Sequence, residues 1–179
     1  MRTEISISGF GGQGVILAGL LLGKAAINDD KYAVQTQSYG PESRGGAARS
    51  EVVIADQKID YPNVIEADIV VALSQPAFDK YCQNLKENTT IIIDSDLVKA
   101  LENKVYSVPF TKIADALGKK VVANSAMLGY LLASTEVVTV ESMEKTIREN
   151  VPEHTMQMNL EAFNQGIEFW QKGIKNGSG

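Results

Sequence analysis

The chain has 179 residues, of which 44% are hydrophobic and 22% charged, a composition typical of a soluble globular protein with a substantial core. The net charge of -5 argues against nucleic acids and membrane surfaces as partners, because both are polyanionic. One cysteine and one histidine are too few for disulfide frameworks, cysteine-ligated zinc or iron–sulfur clusters held by this chain alone.

The chain begins with Met1-Arg2-Thr3-Glu4 and enters an apolar run at once, which leaves no room for a signal peptide or transit segment. Its apolar runs are interrupted before they reach the length that crosses a bilayer. We therefore expect a cytoplasmic protein, with a single domain over residues 1–175 and a disordered tail at 176–179.

The first motif is a glycine-rich turn between a β-branched run at 5–8 and a long helical run at 15–27. Its residues are Gly9-Phe10-Gly11-Gly12-Gln13-Gly14. A strand that turns into a helix through glycines presents backbone N–H groups at the positive end of the helix dipole. The motif predicts an anion-binding turn, with Gly9, Gly11, Gly12, Gln13 and Gly14 as candidate cofactor-binding residues.

The glycine spacing fits two phosphate-binding patterns and completes neither. Gly9, Gly11 and Gly14 match the G-x-G-x-x-G turn of a dinucleotide-binding βαβ unit, but the next strand, at 32–37, lacks the acidic residue that binds ribose. In the P-loop pattern, Val15 and Ile16 stand where a lysine and a hydroxyl are required. Nucleotide hydrolysis is not expected, and close packing of a helix on a sheet is the structural alternative.

A second motif follows that strand. It reads Ser38-Tyr39-Gly40-Pro41-Glu42-Ser43-Arg44-Gly45-Gly46. It combines turn-forming residues with an aromatic residue, an acid and an arginine, so it is either a solvated connection or part of a site. Ligands of open α/β sheets bind at the carboxyl ends of the strands. On that basis Ser38, Tyr39, Glu42 and Arg44 are candidate binding residues on the same edge as the glycine turn.

The remaining chain alternates between strand and helix patterns. Strands are predicted at 47–54, 68–73, 89–93 and 104–108, and helices at 75–85, 97–101, 111–117, 125–132, 141–150 and from 153 onward. This order predicts an α/β fold: a mostly parallel, Rossmann-like sheet flanked by helices, with a C-terminal docking helix. Gly19 and Gly23, one turn apart, indicate a close approach of the first helix to a neighbour.

Several polar residues are predicted to cap helices. Ser74 precedes Gln-Pro at a helix start, and the acids at 94–96 precede a short helix, where capping is favoured over metal binding. Asn124 or Ser125 is expected to cap the helix at 125–132, although Asn124 could instead face a ligand. The last helix carries an apolar stripe, which we expect to dock on the domain with a share left for a partner: Met156, Leu160, Phe163, Ile167, Trp170 and Ile174.

With both motifs in view, the chain resembles the gamma subunit of the 2-oxoacid:ferredoxin oxidoreductases. The resemblance covers the glycine turn with Val15-Ile16-Leu17-Ala18-Gly19, the motif at 38–46, and Asn124 before a small-residue helix. Within that family, the second motif looks most like subunits of 2-oxoglutarate enzymes.

The resemblance implies oxidative decarboxylation of a 2-oxoacid with coenzyme A to acyl-CoA, carbon dioxide and reduced ferredoxin. It implies that thiamine diphosphate and iron–sulfur clusters are held by other subunits: alpha, beta and, where the complex has one, delta. This chain should hold no cofactor and be inactive alone. Its glycine turn and Arg44 would either bind a phosphate-bearing part of coenzyme A or close over the thiamine site. The first of these is the favoured hypothesis.

Three alternatives stay open at this point. The two motifs could form an intersubunit surface in which Arg44 pairs across the interface. The chain could be a free-standing Rossmann-type NAD or FAD oxidoreductase, against which the missing acidic residue argues. It could also be a non-catalytic interaction module with a vestigial glycine turn.

Overall fold

The computed structural model describes residues 1–39, 47–100 and 105–175. Its strands are β1 (Arg2–Phe10), β2 (Tyr32–Tyr39), β3 (Ala47–Ala55), β4 (Ile69–Ala72), β5 (Thr90–Asp94) and β6 (Val105–Val108). Its helices are α1 (Val15–Asn28), α2 (Gln75–Tyr81), α3 (Phe110–Ala116), α4 (Ala123–Thr135), α5 (Val140–Asn150) and α6 (Glu153–Lys175), with a 3-10 turn at Lys120–Val122 before α4. The predicted α/β class is confirmed.

The six strands form one sheet in the order β2-β3-β1-β4-β5-β6. β1, β4, β5 and β6 are parallel neighbours, whereas β3 is antiparallel to both β1 and β2. Five of these strands therefore run in one direction, as expected for a mostly parallel sheet. The insertion of β3 between β1 and β2 is the departure from a Rossmann arrangement, and strand periodicity alone carries no information on strand direction.

The two faces of the sheet are covered by different helices. Ile5 and Ile7 of β1 belong to the large core that includes buried side chains of α1, α4, α5 and α6. Val70 and Ala72 of β4 belong to a smaller core with Phe78 of α2. Successive residues of a strand point to opposite faces of the sheet, so the two cores lie on opposite faces. The helices α1 and α2 follow neighbouring strands and therefore pack on opposite sides of the sheet.

The close approach predicted for α1 occurs at Gly19. A Cβ built there would lie 2.0 Å from Ser50 Oγ, so a side chain cannot fit between α1 and the β3 surface. Gln35 of β2 donates to Ser50 Oγ (2.8 Å) and to the Ile16 carbonyl (2.9 Å), which satisfies the polar groups beneath the helix. At Gly23 the same construction meets only Ala33 Cβ, at 3.9 Å, which is ordinary contact.

The predicted docking of α6 is also confirmed, and two glycines make it possible. A Cβ on Gly129 of α4 would lie 1.9 Å from the Phe163 carbonyl oxygen, and one on Gly166 of α6 would lie 2.0 Å from the Ala126 carbonyl oxygen. Leu160 and Phe163 of the apolar stripe are buried. The two backbones thus touch directly, which gives the side chains around them a close fit.

An aromatic cluster holds the far end of α6. Trp170 lies edge-on to Tyr106 of β6 at 5.9 Å and to Tyr130 of α4 at 5.6 Å between ring centroids. Burial raises the pKa of Tyr130, in keeping with its place inside this cluster. Ile174, the last residue of the stripe, is exposed, in keeping with a share left outside the core.

Two local predictions at the end of β5 need correction. Residues 95–97 form a turn rather than the start of a helix, with the Leu97 and Val98 amides bonded to the Asp94 carbonyl. The acids do cap a helix, but it is α3: Asp94 accepts from Thr111 N (3.1 Å) and Oγ1 (2.7 Å), and Asp96 accepts from Lys112 N. Burial raises the pKa of Asp94, and the hydrogen bonds that its carboxylate accepts from Thr111 and from the Asp96 amide oppose this rise.

Two absences are limited to residues 1–39, 47–100 and 105–175. Within them no helix combines the length and apolar character that crossing a membrane requires. No group of three or more His, Cys, Asp or Glu side chains there could hold a metal ion. The predicted tail at 176–179 lies outside the described residues.

The glycine contacts lead to a stability prediction. Gly166→Ala should lower the free energy of unfolding by about 2–4 kcal/mol, because the new methyl group must push α6 away from α4. The matched control is Gly23→Ala, also in a helix but with room for a Cβ, which should raise it by about 0.5–1 kcal/mol. Urea denaturation followed by circular dichroism measures both, and equal values for the two variants would contradict the packing argument.

Candidate functional site

The candidate site lies outside the carboxyl ends of β1 and β4. These strands are adjacent and parallel, with Ser8 level with Ala72. The chain leaves β1 for α1 on one face of the sheet and leaves β4 for α2 on the other. This is a topological switch point, the place where open α/β sheets form a crevice for ligands.

The glycine turn forms one wall of this crevice. Gly11 and Gly12 are exposed, and a Cβ at either position would meet no atom within 4 Å. Gly12 and Gly14 have φ values of 98° and 74°, which favour glycine and explain why the turn carries no side chains there. The surface of the turn is therefore bare backbone.

Within residues 1–39, 47–100 and 105–175, no side chain caps the N-terminus of α1. Its N-cap residue is Gly14, which makes no side-chain capping bond, and the first turn contains no acidic residue. Among the residues that the structure describes, none places a negative charge in the first turn, so the partial positive charge at the end of the helix stays available to a ligand. The arrangement suits an anionic group such as a phosphate or carboxylate.

Gln13 holds the turn in place. Its Oε1 accepts from the Phe10 backbone N–H at 2.6 Å, and its Nε2 donates to the Leu73 carbonyl at 2.8 Å. A Cβ on Gly9 would lie 2.6 Å from Gln13 Oε1, so the glycine makes room for this side chain. The Gln13 side-chain amide therefore connects the end of β1 to the residue after β4. Both of these hydrogen bonds go to backbone groups, of Phe10 and of Leu73.

Asn124 supports the turn from the other side. Its Nδ2 donates to the Gly14 carbonyl at 3.3 Å, and a Cβ on Gly14 would lie 2.3 Å from that nitrogen. The expectation that Asn124 or Ser125 caps α4 is wrong, because the N-cap is Val122 without a side-chain bond. Asn124 is buried and bonded to the turn, a contact that depends on tertiary structure and so has no local sequence signal.

A buried polar chain continues from Asn124 into α6. Ser125 donates to Asn159 Oδ1 at 2.7 Å, and Asn159 Nδ2 donates to the Thr155 carbonyl at 2.9 Å. Both side chains are buried. The turn, α4 and α6 are therefore linked by hydrogen bonds as well as by packing.

The structure places the first two residues of the second motif, Ser38 and Tyr39, at the same edge of the sheet as the turn, with β3 between them and β1. Ser38 pairs with Arg49 of β3, and Arg49 pairs with Ser8 of β1. Tyr39 is likewise separated from Gly9 by one strand. Two strand spacings place these positions about 10 Å apart. Glu42 and Arg44 lie outside the described residues.

Two further polar residues near the crevice, Ser74 and Arg49, were not among the predicted site residues. Ser74, two residues after the end of β4, is fully buried, and within the described part of the chain its hydroxyl has no hydrogen-bond partner. It occupies the N-cap position of α2 without making the predicted capping bond. Arg49 lies 4.8 Å over the Tyr81 ring and pairs with Glu51 at 3.2 Å. A mixed-face strand pattern was the only sign of Arg49.

The order of the strands weakens the dinucleotide alternative. In a dinucleotide-binding βαβ unit the second strand is the parallel neighbour of the first, which brings its acidic residue to the ribose. Here β3 separates β2 from β1 and runs in the opposite direction. The end of β2 therefore lies too far from the glycine turn to fill that role, even apart from the missing acid.

Comparison with known proteins identifies close relatives. The family described as pyruvate ferredoxin/flavodoxin oxidoreductase matches residues 4–169. The 2-oxoglutarate synthase subunit KorC of Methanocaldococcus jannaschii is 53% identical over 175 residues, which cover 94% of both chains.

Solved structures agree with this relationship. The gamma subunit of keto/oxoacid ferredoxin oxidoreductase from Geobacter sulfurreducens is 42% identical with a TM-score of 0.85, covering 96% of this chain and 98% of that one. The 2-oxoglutarate:ferredoxin oxidoreductase from Magnetococcus marinus, solved with 2-oxoglutarate, coenzyme A and succinyl-CoA bound, has a TM-score of 0.86 at 19% identity. This match covers 96% of the present chain but 31% of that longer chain, and it shows a shared fold.

Proposed function

Because the chain belongs to the pyruvate ferredoxin/flavodoxin oxidoreductase family, we propose that it is the gamma subunit of a complex that oxidises 2-oxoglutarate with ferredoxin as electron acceptor. The preference for 2-oxoglutarate rests on the relative from Methanocaldococcus jannaschii, whose name specifies that substrate. The complete reaction converts a 2-oxoacid, coenzyme A and oxidised ferredoxin into acyl-CoA, carbon dioxide, a proton and reduced ferredoxin. The two electrons released by decarboxylation pass to ferredoxin.

The chain's own residues do not fit the redox part of this reaction. Cys82 is its one cysteine, and it is buried in the small core beside α2. An iron–sulfur cluster held by thiolates needs several cysteines, so the clusters and the thiamine diphosphate are assigned to partner subunits. In the Magnetococcus marinus protein the matching fold is about a third of a longer chain, which supports a division of labour between this unit and a larger one.

The observation that carries the specific role is the bare N-terminus of α1. Exposed Gly11 and Gly12 precede a helix start that has no side-chain cap and no acid in its first turn. Coenzyme A carries phosphate groups, and backbone N–H groups at a helix N-terminus bind such groups without a metal or a specific side chain. We assign the turn to a phosphate of coenzyme A, with Arg44 as a charged partner from the second motif.

The other candidate residues have supporting roles in this proposal. Gln13 and Asn124 hold the turn through the bonds described above. Ser38 and Tyr39 lie along the same edge, where the second motif leaves the sheet. Binding coenzyme A there would fix its position relative to the acyl group formed on the partner subunit, which lowers the entropic cost of transfer to the thiol.

Reconstitution tests the function directly. The partner subunits should reduce a viologen dye in the presence of 2-oxoglutarate and coenzyme A only when this chain is added, and the chain alone should give no reduction. The control replaces 2-oxoglutarate with pyruvate and with a branched-chain 2-oxoacid. Equal turnover without this chain would contradict the proposal, and a preference for another 2-oxoacid would correct the substrate.

Gly11→Val tests whether the turn binds coenzyme A. The φ of Gly11 is not positive, and a Cβ there meets no atom within 4 Å, so the variant should fold without backbone strain. The valine side chain should then occupy the anion site. We expect the KM for coenzyme A to rise about tenfold, equivalent to about 1.4 kcal/mol, with the KM for 2-oxoglutarate unchanged. Gln57→Val, at the exposed turn after β3, is the control, and an unchanged KM for coenzyme A in Gly11→Val would refute the assignment.

Arg44→Ala separates ligand binding from subunit contact. A phosphate-binding arginine should, when removed, weaken coenzyme A binding by about 1.5–3 kcal/mol and leave the complex intact. Isothermal titration measures the affinity, and size-exclusion chromatography measures the assembly. Dissociation of the complex without a change in intrinsic affinity would instead identify the motif at 38–46 as an intersubunit surface.

A further inference from the structure

The buried polar chain formed by Asn124, Ser125 and Asn159 connects the C-terminal helix to the glycine turn. At its α6 end, Asn159 Nδ2 donates to the Thr155 carbonyl at 2.9 Å, and Asn159 Oδ1 accepts from Ser125 Oγ at 2.7 Å. At the other end, Asn124 Nδ2 donates to the Gly14 carbonyl at 3.3 Å. All three side chains lie in the interior, with at most 7% of their surface exposed. A displacement of α6 or α4 can therefore reach the start of α1 through these residues.

The direction of each bond in this chain is fixed. A carbonyl can only accept, so the bond to Thr155 determines which end of the Asn159 amide is Nδ2 and turns Oδ1 toward Ser125. The Ser125 hydroxyl has one hydrogen, which goes to Asn159, because its other contact, with Asn124 Oδ1, is 3.5 Å long. The Gly14 carbonyl fixes the Asn124 amide in the same way. A network with one possible arrangement holds its members in one geometry.

Packing sets the distance between α4 and α6, whereas this bond sets how α4 is rotated. The N-cap of α4 is Val122, which within the described residues makes no side-chain hydrogen bond to the helix. The close approach of Gly166 to the Ala126 carbonyl brings the two helices together. A hydrogen bond adds direction to this contact, because it weakens steeply when its angle changes. The Ser125–Asn159 bond therefore orients the first turn of α4, from which Asn124 reaches the glycine turn.

The contact between Asn124 and the turn tolerates little movement. Its N···O distance of 3.3 Å is already beyond the usual range of about 2.7–3.2 Å, so an outward shift breaks the bond. An inward shift is blocked, because Asn124 Nδ2 lies 2.3 Å from the place where a Cβ of Gly14 would be. The Gly14 carbonyl also accepts the first intrahelical bond of α1, from the Ala18 N–H at 2.9 Å. A small rotation of α4 would thus disturb the backbone at the anion site.

We propose that Ser125 and Asn159 are positioning residues for the glycine turn. They hold Asn124 in the orientation that keeps the N–H groups at the start of α1 aligned for an anionic ligand. Both are too deeply buried to touch that ligand, so they act through Asn124. Without them the turn must be ordered on binding, which costs conformational entropy. The consequence for coenzyme A rests on the proposed function, whereas the effect on the turn itself does not.

The chemistry of the Ser125–Asn159 pair favours positioning over a purely stabilising role. The buried residues that follow in α4, Ala126, Met127 and Leu128, are apolar. Apolar side chains at 125 and 159 would also fill the interface, and they would avoid the desolvation of polar groups. A buried hydroxyl–amide bond adds little net stability, but it specifies one relative arrangement of two helices.

Two variants of the full-length chain separate positioning from stability. Ser125→Ala leaves Asn159 Oδ1 without its donor and should lower the urea midpoint of unfolding. The double variant Ser125→Ala/Asn159→Leu should recover most of that loss, because neither position then carries a polar group. The control is Gln157→Ala, which changes an exposed residue of the same helix and should behave like wild type.

Coenzyme A binding should not recover with stability. In the reconstituted complex, both variants should raise the KM for coenzyme A about fivefold, equivalent to about 1 kcal/mol, and leave kcat unchanged. A KM that returns to the wild-type value in the double variant would show a role in stability alone and overturn the proposal. If Gly11→Val raises the KM and Ser125→Ala does not, the proposal also fails, while the proposed function stands.

Hydrogen exchange of the full-length chain without ligand tests the turn independently of coenzyme A. The Gln13 and Ala18 amides donate to backbone carbonyls of the turn. In the double variant they should exchange at least about fivefold faster than in wild type, whereas the Ile92 amide in β5 should keep its rate. Unchanged exchange at Gln13 and Ala18 would overturn the positioning role whatever the turn binds. If Gly11→Val has no effect on the KM for coenzyme A, this measurement alone decides the proposal.

Discussion

The turn between β1 and α1 must stay free of side chains on its surface while its backbone is held in one conformation, and the rest of the structure meets these two requirements. Gly11 and Gly12 supply the bare surface. Gln13 and Asn124 supply the rigidity from opposite sides. A binding site made of backbone N–H groups works only if those groups are already aligned, because aligning them on binding would cost conformational entropy.

The support for the turn extends through the whole helical layer. Asn124 lies in the first turn of α4, and α4 is fixed by direct backbone contact with α6 at Gly129 and Gly166. Ser125 and Asn159 add a buried hydrogen bond between the same two helices. The C-terminal helix, distant from the turn in sequence, therefore helps to determine where Asn124 lies and how the turn is held.

A subunit of this kind contributes geometry rather than reactive groups. Its one cysteine is buried, and its one histidine is exposed at the start of α6. In the proposed role, it offers a turn of bare backbone at the carboxyl edge of the sheet, shaped for an anionic group.

The amino-acid sequence alone was sufficient for the α/β class, the glycine turn, the docking of α6 and the resemblance to a family of oxidoreductase subunits. These properties depend on local patterns: hydrophobic periodicity, glycine spacing and two motifs in order. Tertiary structure decided the antiparallel insertion of β3, the bond from Asn124 to Gly14, and the close approach of α4 and α6 at Gly129 and Gly166. Strand direction and contacts between residues far apart in sequence arise from packing the whole chain, and no short segment encodes them.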